Sequence, residues 1–356
     1  MALSEGMALT EGMALGEGMA EKMSVCAIPA KEAPQIPTKP KVSVVISTYN
    51  RAGHLERLIE ALEAQNLPLG QFEVIVVDNG STDTTQDMLA RQSSLSPLNL
   101  TVIRSERNLG PAGGRNLGWR AAAASVVAFT DDDCLPQPNW LSAGLEALDG
   151  RARIVVGRTC PNPSQLARAA RPFSSSVDVN CVRFFETCNV FYRLEDLMRA
   201  GGFDERFHQP SGEDTDLGLK VCSFGTEAIF MPSALVYHEV WDGGLLASLR
   251  QTLRWIDIPL VLGKHPSARS QLLFAGIFWK KSHPSVLALV AGLIAGRRFK
   301  PALFLAMPWL YLRLWKDPVC PGPRRRVVAL PGALMVDFCE VAVMVAGSVR
   351  HRVVVL

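Results

Sequence analysis

No two of the eight cysteines (26, 134, 160, 181, 188, 222, 320 and 339) stand in a C-x-x-C pair or any other zinc-ligand spacing. That excludes a zinc ribbon or a dithiol redox motif and leaves free thiols in a reducing cytosol as the expectation. The start has no basic segment followed by an apolar one. It carries Glu5, Glu11 and Glu17 instead, so no secretory signal is read there. No charge-free apolar run reaches the roughly 20 residues that span a bilayer. The longest are 284–296, 301–312 and 327–336, and the longer stretch 327–349 is interrupted by Asp337 and Glu340. A polar, aromatic-lined basic groove is also missing, so nucleic acid is not an expected partner.

What is present fits a globular chain with a sizeable core. Of 356 residues, 48% are hydrophobic and 20% charged, close to the usual globular balance. The mean hydropathy of +0.14 is high for a wholly soluble chain, and the apolar excess sits after about residue 245. From Gly296 onward ten Lys and Arg face only Asp317, Asp337 and Glu340. A basic, apolar segment of this kind suits an anionic lipid surface. A helical cap buried on the rest of the chain is the competing reading.

Three segments follow from composition. Residues 1–40 join a hexapeptide repeat (MALSEG, MALTEG, MALGEG) to a Pro-rich stretch, both extended or disordered on these grounds. Residues 41–243 alternate strand and helix signals, and 244–356 form a helical, basic and apolar region. Short β-branched runs at 42–47, 74–77, 101–103 and 125–129 read as strands. Leu55, Leu58, Ile59 and Leu62 recur at helical spacing, 82–90 looks helical, and an Ala-rich helix is expected over 114–124. This alternation predicts an α/β fold, a mostly parallel sheet sandwiched by helices and followed by a helical C-terminal region. Such sheets bind ligands at the carboxyl ends of their strands. Polar clusters stand at three such ends: Thr48-Tyr49-Asn50, Asp78-Asn79-Gly80-Ser81 and Asp131-Asp132-Asp133.

The triple aspartate is the sharpest of these. Adjacent carboxylates repel unless something positive is bound, and Mg²⁺ or Mn²⁺ is often held by one or two carboxylates plus substrate phosphates. A solvated acidic turn is the bland alternative. The run Gly110-Pro111-Ala112-Gly113-Gly114-Arg115-Asn116-Leu117-Gly118 places an Arg and several glycines at a helix start, suited to phosphate oxygens. It lacks the G-x-G-x-x-G spacing of a dinucleotide fingerprint. Glu213 and Asp214 suit a helix N-terminus on dipole grounds alone; the functional account is a carboxylate that takes a proton from a hydroxyl. His238 is a metal ligand, a phosphate contact or a structural residue at a strand end.

The runs VSVVISTYNR, VIVVDNGSTD, GGRNLG, FTDDD and GGFDERF…GEDTDL…VYH, in that order across residues 42–240, resemble the family 2 glycosyltransferases of the GT-A fold. The resemblance implies a metal-dependent, inverting transfer of a sugar from a nucleotide-diphosphate carrier, uridine by family default, to an acceptor hydroxyl. It implies that Thr48, Tyr49, Asn50, Asp78, Asn79 and Gly80 hold the nucleotide and that Asp131 and Asp133 hold Mg²⁺ or Mn²⁺, with His238 a further ligand. Asp132 would face the ribose or sugar, Arg115 the diphosphate, and Asp214 beside Glu213 would be the catalytic base. Asn189 and Arg193 match positions on the donor–acceptor side.

Gln251-Thr252-Leu253-Arg254-Trp255 resembles the Q-x-x-R-W signature of processive polysaccharide synthases, in which Arg254 would meet the diphosphate and Trp255 the acceptor. The missing channel-forming spans argue against a processive synthase. Trp279, Trp309, Tyr311 and Trp315 beside the basic residues suit a membrane interface. A cytoplasmic protein peripheral to the inner face of the cell membrane, acting on a glycan or lipid-linked acceptor, is the resulting expectation. A nucleotidyltransferase of the same fold and a non-catalytic membrane scaffold with a relic domain are the alternatives.

Overall fold

The computed structural model describes residues 39–148, 152–316 and 323–356; the hexapeptide repeat and nearly all of the Pro-rich stretch lie outside the described residues. Four strands, β1 (Val42–Thr48), β2 (Phe72–Asp78), β3 (Leu100–Arg104) and β4 (Val126–Phe129), pair in parallel in the order β3-β2-β1-β4. Their crossovers are α1 (Ala52–Glu63), α2 (Thr85–Leu95) and α3 (Gly110–Arg120). β2 is buried along its whole length and β1 nearly so, which is why both read as continuous apolar runs rather than as alternations. α1 buries the predicted stripe Leu55, Leu58, Ile59 and Leu62.

α3 starts and ends four residues earlier than the alanine run suggests. Pro111 is tolerated in a first helical turn, so the helix begins at the glycines. At the other end, side chains of the sheet capture backbone amides: Ala123 N–H donates to Glu73 Oε1 at 2.7 Å and Ala124 N–H to Ser43 Oγ at 3.1 Å. Those bonds replace helical ones, and the chain turns into β4.

The second half extends the same sheet through β5 (Cys134–Pro136), α4 (Trp140–Leu148), β6 (Ala152–Pro161), α5 (Leu166–Ala169), β7 (Val190–Arg193), α6 (Leu194–Ala200), α7 (Glu213–Cys222) and β8 (Glu227–His238). The eight-stranded order is β3-β2-β1-β4-β7-β6-β8-β5. β7 runs antiparallel to β4 and β6, and β5 antiparallel to β8, while the other strands share one direction. The chain order reverses between β1 and β4, so the crevice at their carboxyl ends is the topological switch point.

After β8 come α8 (Gly244–Gln251), a 3-10 turn (Thr252–Asp257), α9 (Ile258–Lys264), α10 (Arg269–Leu272), α11 (Ser282–Ala295), α12 (Met307–Tyr311) and α13 (Pro323–His351). These helices pack on the sheet domain. Phe207 shares a buried cluster with Ile258, Val261, Leu262, Met344 and Val355. Lys264 Nζ donates to Asp216 at 2.5 Å and to Asp204 at 2.7 Å, and His265 Nε2 lies 2.8 Å from Asp216.

By length and composition α13 is long and apolar enough to cross a membrane. The two acids that interrupt its apolar run face the protein. Asp337 is fully buried and accepts from Trp309 Nε1 at 2.7 Å and from Arg313, while Glu340 accepts from Lys280 Nζ at 2.5 Å. The expectation of an interfacial aromatic belt is corrected in part. Trp309 is buried by this bond, and Trp279 packs against Trp255 with ring centroids 5.4 Å apart. Tyr311 and Trp315 are exposed and stacked.

Candidate active site

The glycines of α3 explain how an arginine reaches the switch point. A Cβ at Gly114 would lie 2.1 Å from Ser47 Oγ, and one at Gly118 would lie 2.4 Å from Val45 Cγ1. Only glycine lets the helix approach β1 this closely. Arg115, on the same turn, is thereby set at the carboxyl edge of the sheet. Its Nη2 donates to Asp131 Oδ1 at 2.8 Å and its Nη1 to Glu213 Oε1 at 2.9 Å. The next residue, Asn116, donates to Phe203 O at 2.9 Å and accepts from Phe203 N–H at 2.9 Å. Arg–Asn thus ties the aspartate turn, the Gly201–Phe207 turn and the start of α7 into one cluster.

Asp131, Asp132 and Asp133 form the turn between β4 and β5. Asp132 is buried and accepts from Thr48 Oγ1 at 2.7 Å and from Arg51 at 3.3 Å. Burial, opposed by Arg51 and Thr48 but reinforced by its two neighbours, pushes Asp132 up to about 7. Asp133 accepts from Arg51 at 2.6 Å. Its pKa lies below the ordinary value because His238 and Arg51 outweigh burial. The antiparallel register pairs Cys134 with His238, which brings His238 Nε2 to 3.3 Å from Asp133 Oδ1.

Asp133, Cys134 and His238 offer ligand atoms within 4.8 Å of one another. A carboxylate and an imidazole suit Mn²⁺ or Mg²⁺ better than a thiol does, and burial raises the Cys134 thiol well above its ordinary value. The donor set that fits a hard divalent cation is therefore Asp133 and His238, with Asp131 at the same turn and its carboxylate shared with Arg115.

On the β1–β2 side, Asp78 Oδ1 accepts from Ser81 N–H at 2.9 Å while Oδ2 is buried without a hydrogen bond. Asn50 takes a left-handed φ of 55°, its N–H donates to Ser81 Oγ at 2.9 Å, and its Oδ1 accepts from Thr82 N–H at 2.7 Å. Tyr49 is exposed at the same loop. Asn79 and Gly80 are held by the fold itself. Asn79 Oδ1 accepts from Leu109 N–H and its Nδ2 donates to Gly110 O, both at 2.9 Å. Gly80 has a φ of 82°, with the Arg107 backbone 2.7 Å from where a Cβ would stand.

Glu213 and Asp214 open α7. Thr215 N–H donates to Asp214 Oδ1 at 2.7 Å. The Asp214 carboxyl keeps some solvent contact yet is densely enclosed. Burial, then Glu213 and Glu186, push it well above the usual carboxylate range. Burial also raises Glu213, partly offset by Arg115.

Two residues sit away from this cluster. Asn189 is buried in the core, donating to Arg158 O and Ala234 O at 2.9 Å and accepting from Trp140 Nε1 at 2.8 Å. Arg193 pairs in register with Val126, at the opposite end of β4 from the aspartates, and donates to Leu148 O. The reversed direction of β7 puts them there. Conversely, Arg51 and Glu186 belong to the cluster although no role was assigned to them from sequence. Arg51 was legible as the last residue of VSVVISTYNR; Glu186 carries no local signal.

Residues 43–202 match the family model described as glycosyl transferase family 2, and residues 168–316 match glycosyl transferase family group 2. Glycosyltransferase AglE of Haloferax volcanii is 30% identical over 216 residues, 59% of this chain and 70% of that one. The chain belongs to the family 2 glycosyltransferases. The validoxylamine A glucosyltransferase of Streptomyces hygroscopicus subsp. jinggangensis is 32% identical over 67% of this chain and 65% of its own length. Among solved structures, the mannosyltransferase PcManGT from Pyrobaculum calidifontis, in complex with GDP-Man and Mn²⁺, superposes with a TM-score of 0.62 over 88% of each chain at 22% identity. That likeness shows the GT-A fold.

Proposed function

We propose that this family 2 glycosyltransferase performs a single inverting displacement, moving a sugar from a nucleotide-diphosphate donor to an acceptor hydroxyl. The observation that carries the reading is the cluster Asp131–Arg115–Glu213, which sets Asp214 beside the aspartate turn at the switch point. The nucleoside would lie along Thr48, Asn50 and Asp78, where the unpaired Asp78 Oδ2 can accept from a base or ribose donor. Uridine is the family default; guanosine competes, because the similar mannosyltransferase was solved with GDP-Man.

Asp131, Asp133 and His238 would hold Mg²⁺ or Mn²⁺, which when bound offsets the charge of the donor diphosphate. Asp214 takes the acceptor hydroxyl proton. The acceptor oxygen bonds to the anomeric carbon as that carbon's bond to the phosphate oxygen breaks, and the nucleoside diphosphate leaves with the electron pair. Arg115 holds Glu213 and Asp131 in place and adds positive charge on the leaving-group side. A relic scaffold is disfavoured by the intact Asp131, Asp133 and Asp214.

The same reading places the protein in the cytoplasm, peripheral to the inner face of the cell membrane, through the exposed apolar residues of 293–315 beside Arg297 and Arg298. A thermal-shift screen of nucleoside diphosphates with and without Mn²⁺ tests the donor assignment. A rise in midpoint with one nucleotide only when metal is present supports it by mass action; no rise with any nucleotide and metal contradicts it.

A further inference from the structure

A cavity of about 320 Å³ lies where α8 and the 3-10 turn meet α13. Arg254, Lys280 and Arg313 contribute positive charge to its lining, and Ala329, Ala333 and Val336 of α13 form an apolar wall. Two of the cations have their counterions in the protein: Lys280 pairs with Glu340 and Arg313 with Asp337. Arg254 differs. Its Nε is buried without a hydrogen bond, and its guanidinium lies 4.3 Å from the centre of the Trp255 ring. Burial lowers its pKa, while Glu340, Asp214 and Glu213 act on it through space. A guanidinium enclosed without a carboxylate asks for an anion from outside, and this one lies within the electrostatic reach of Asp214.

We propose that the cavity receives the phosphate of a lipid-linked acceptor, with Arg254 as its principal contact and the hydrocarbon following the Ala329–Val336 wall. The inference rests on the transferase reading and names its acceptor class. The pairing of an unneutralised cation with an apolar wall fits an amphiphile rather than a free sugar. On its outer side α13 exposes Val328 and Met335, so a chain leaving the cavity meets further apolar surface.

Calorimetric titration of the full chain with farnesyl phosphate, farnesol and inorganic phosphate tests this without any donor. Farnesyl phosphate is expected to bind, inorganic phosphate at least ten-fold more weakly, and farnesol not measurably. Arg254→Gln should weaken farnesyl phosphate ten-fold or more with nucleotide–Mn²⁺ binding kept. Ala333→Leu, which fills the cavity without touching charge, should weaken farnesyl phosphate but not inorganic phosphate.

Several results overturn the proposal: equal binding of farnesol, equal binding of inorganic phosphate, or unchanged farnesyl phosphate affinity in Ala333→Leu. An Arg254→Gln variant that loses nucleotide–Mn²⁺ binding instead would assign Arg254 to the donor and also overturn it. A chain that binds farnesyl phosphate as expected but transfers no sugar contradicts the transferase reading alone. Sugar transfer unaffected by both cavity variants contradicts this proposal alone.

Discussion

Glu213 Oε1 accepts from Arg115 Nη1 at 2.9 Å, an ion pair between the first residue of α7 and the second turn of α3. Nearly a hundred residues separate the two in sequence, and both are buried. The pair holds the catalytic end of α7 against the aspartate turn. Arg115→Gln leaves Glu213 enclosed without a cation, and breaking a buried pair on one side costs about 3–5 kcal/mol. The expected outcome is a lowered unfolding midpoint together with a fall in kcat/KM. Arg115→Lys rescues little, since an ammonium cannot span both carboxylates as a guanidinium fork does. Thermal unfolding and steady-state kinetics on the two variants check this.

Gly114→Ala tests the close approach that positions Arg115. The added methyl meets Ser47 Oγ at 2.1 Å, so α3 must shift or Ser47 must turn away. Overpacking of this kind costs about 1–3 kcal/mol. The double variant Gly114→Ala with Ser47→Gly should recover stability and activity together; chemical denaturation and transfer rates report on both.

The pH profile should carry the raised proton affinity of Asp214. A base works only when deprotonated, so kcat/KM falls as pH drops through a value above the ordinary Asp range of about 4. Glu186 is one of the negative charges that raise Asp214. Glu186→Gln removes that charge, stabilises the Asp214 anion and moves the acid limb to lower pH. A limb that stays in place would separate Glu186 from the base.

Metal dependence should follow hard donors. His238→Gln is expected to weaken Mn²⁺ activation by about 10–100-fold, whereas Cys134→Ser leaves it unchanged, because the buried thiol stays protonated. Activity titrated against Mn²⁺ after chelation distinguishes the two.

Much of the site was legible because its parts are local. Each polar cluster follows its own strand, and a parallel sheet gathers strand ends at one edge, so Thr48, Asp78 and Asp131 converge without any long-range information. The glycines at 114 and 118 were visible as a motif, but their purpose, contact with Ser47 and Val45, appears only in three dimensions. Asn189 and Arg193 lie away from the site because β7 enters the sheet in the reverse direction. Nothing in the short run VFYR encodes that reversal. The C-terminal region was harder still. Asp337 and Glu340 interrupt an apolar run in sequence, and only their pairing with Trp309, Arg313 and Lys280 turns the interruption into an inward face.

The role of Asp214 is tested most directly by Asp214→Asn, assayed for both transfer and nucleotide binding on one preparation. The account predicts that binding of the nucleoside diphosphate with Mn²⁺ is retained while transfer falls by about 10²–10⁴-fold. Transfer at the wild-type rate with that carboxylate replaced would contradict the account.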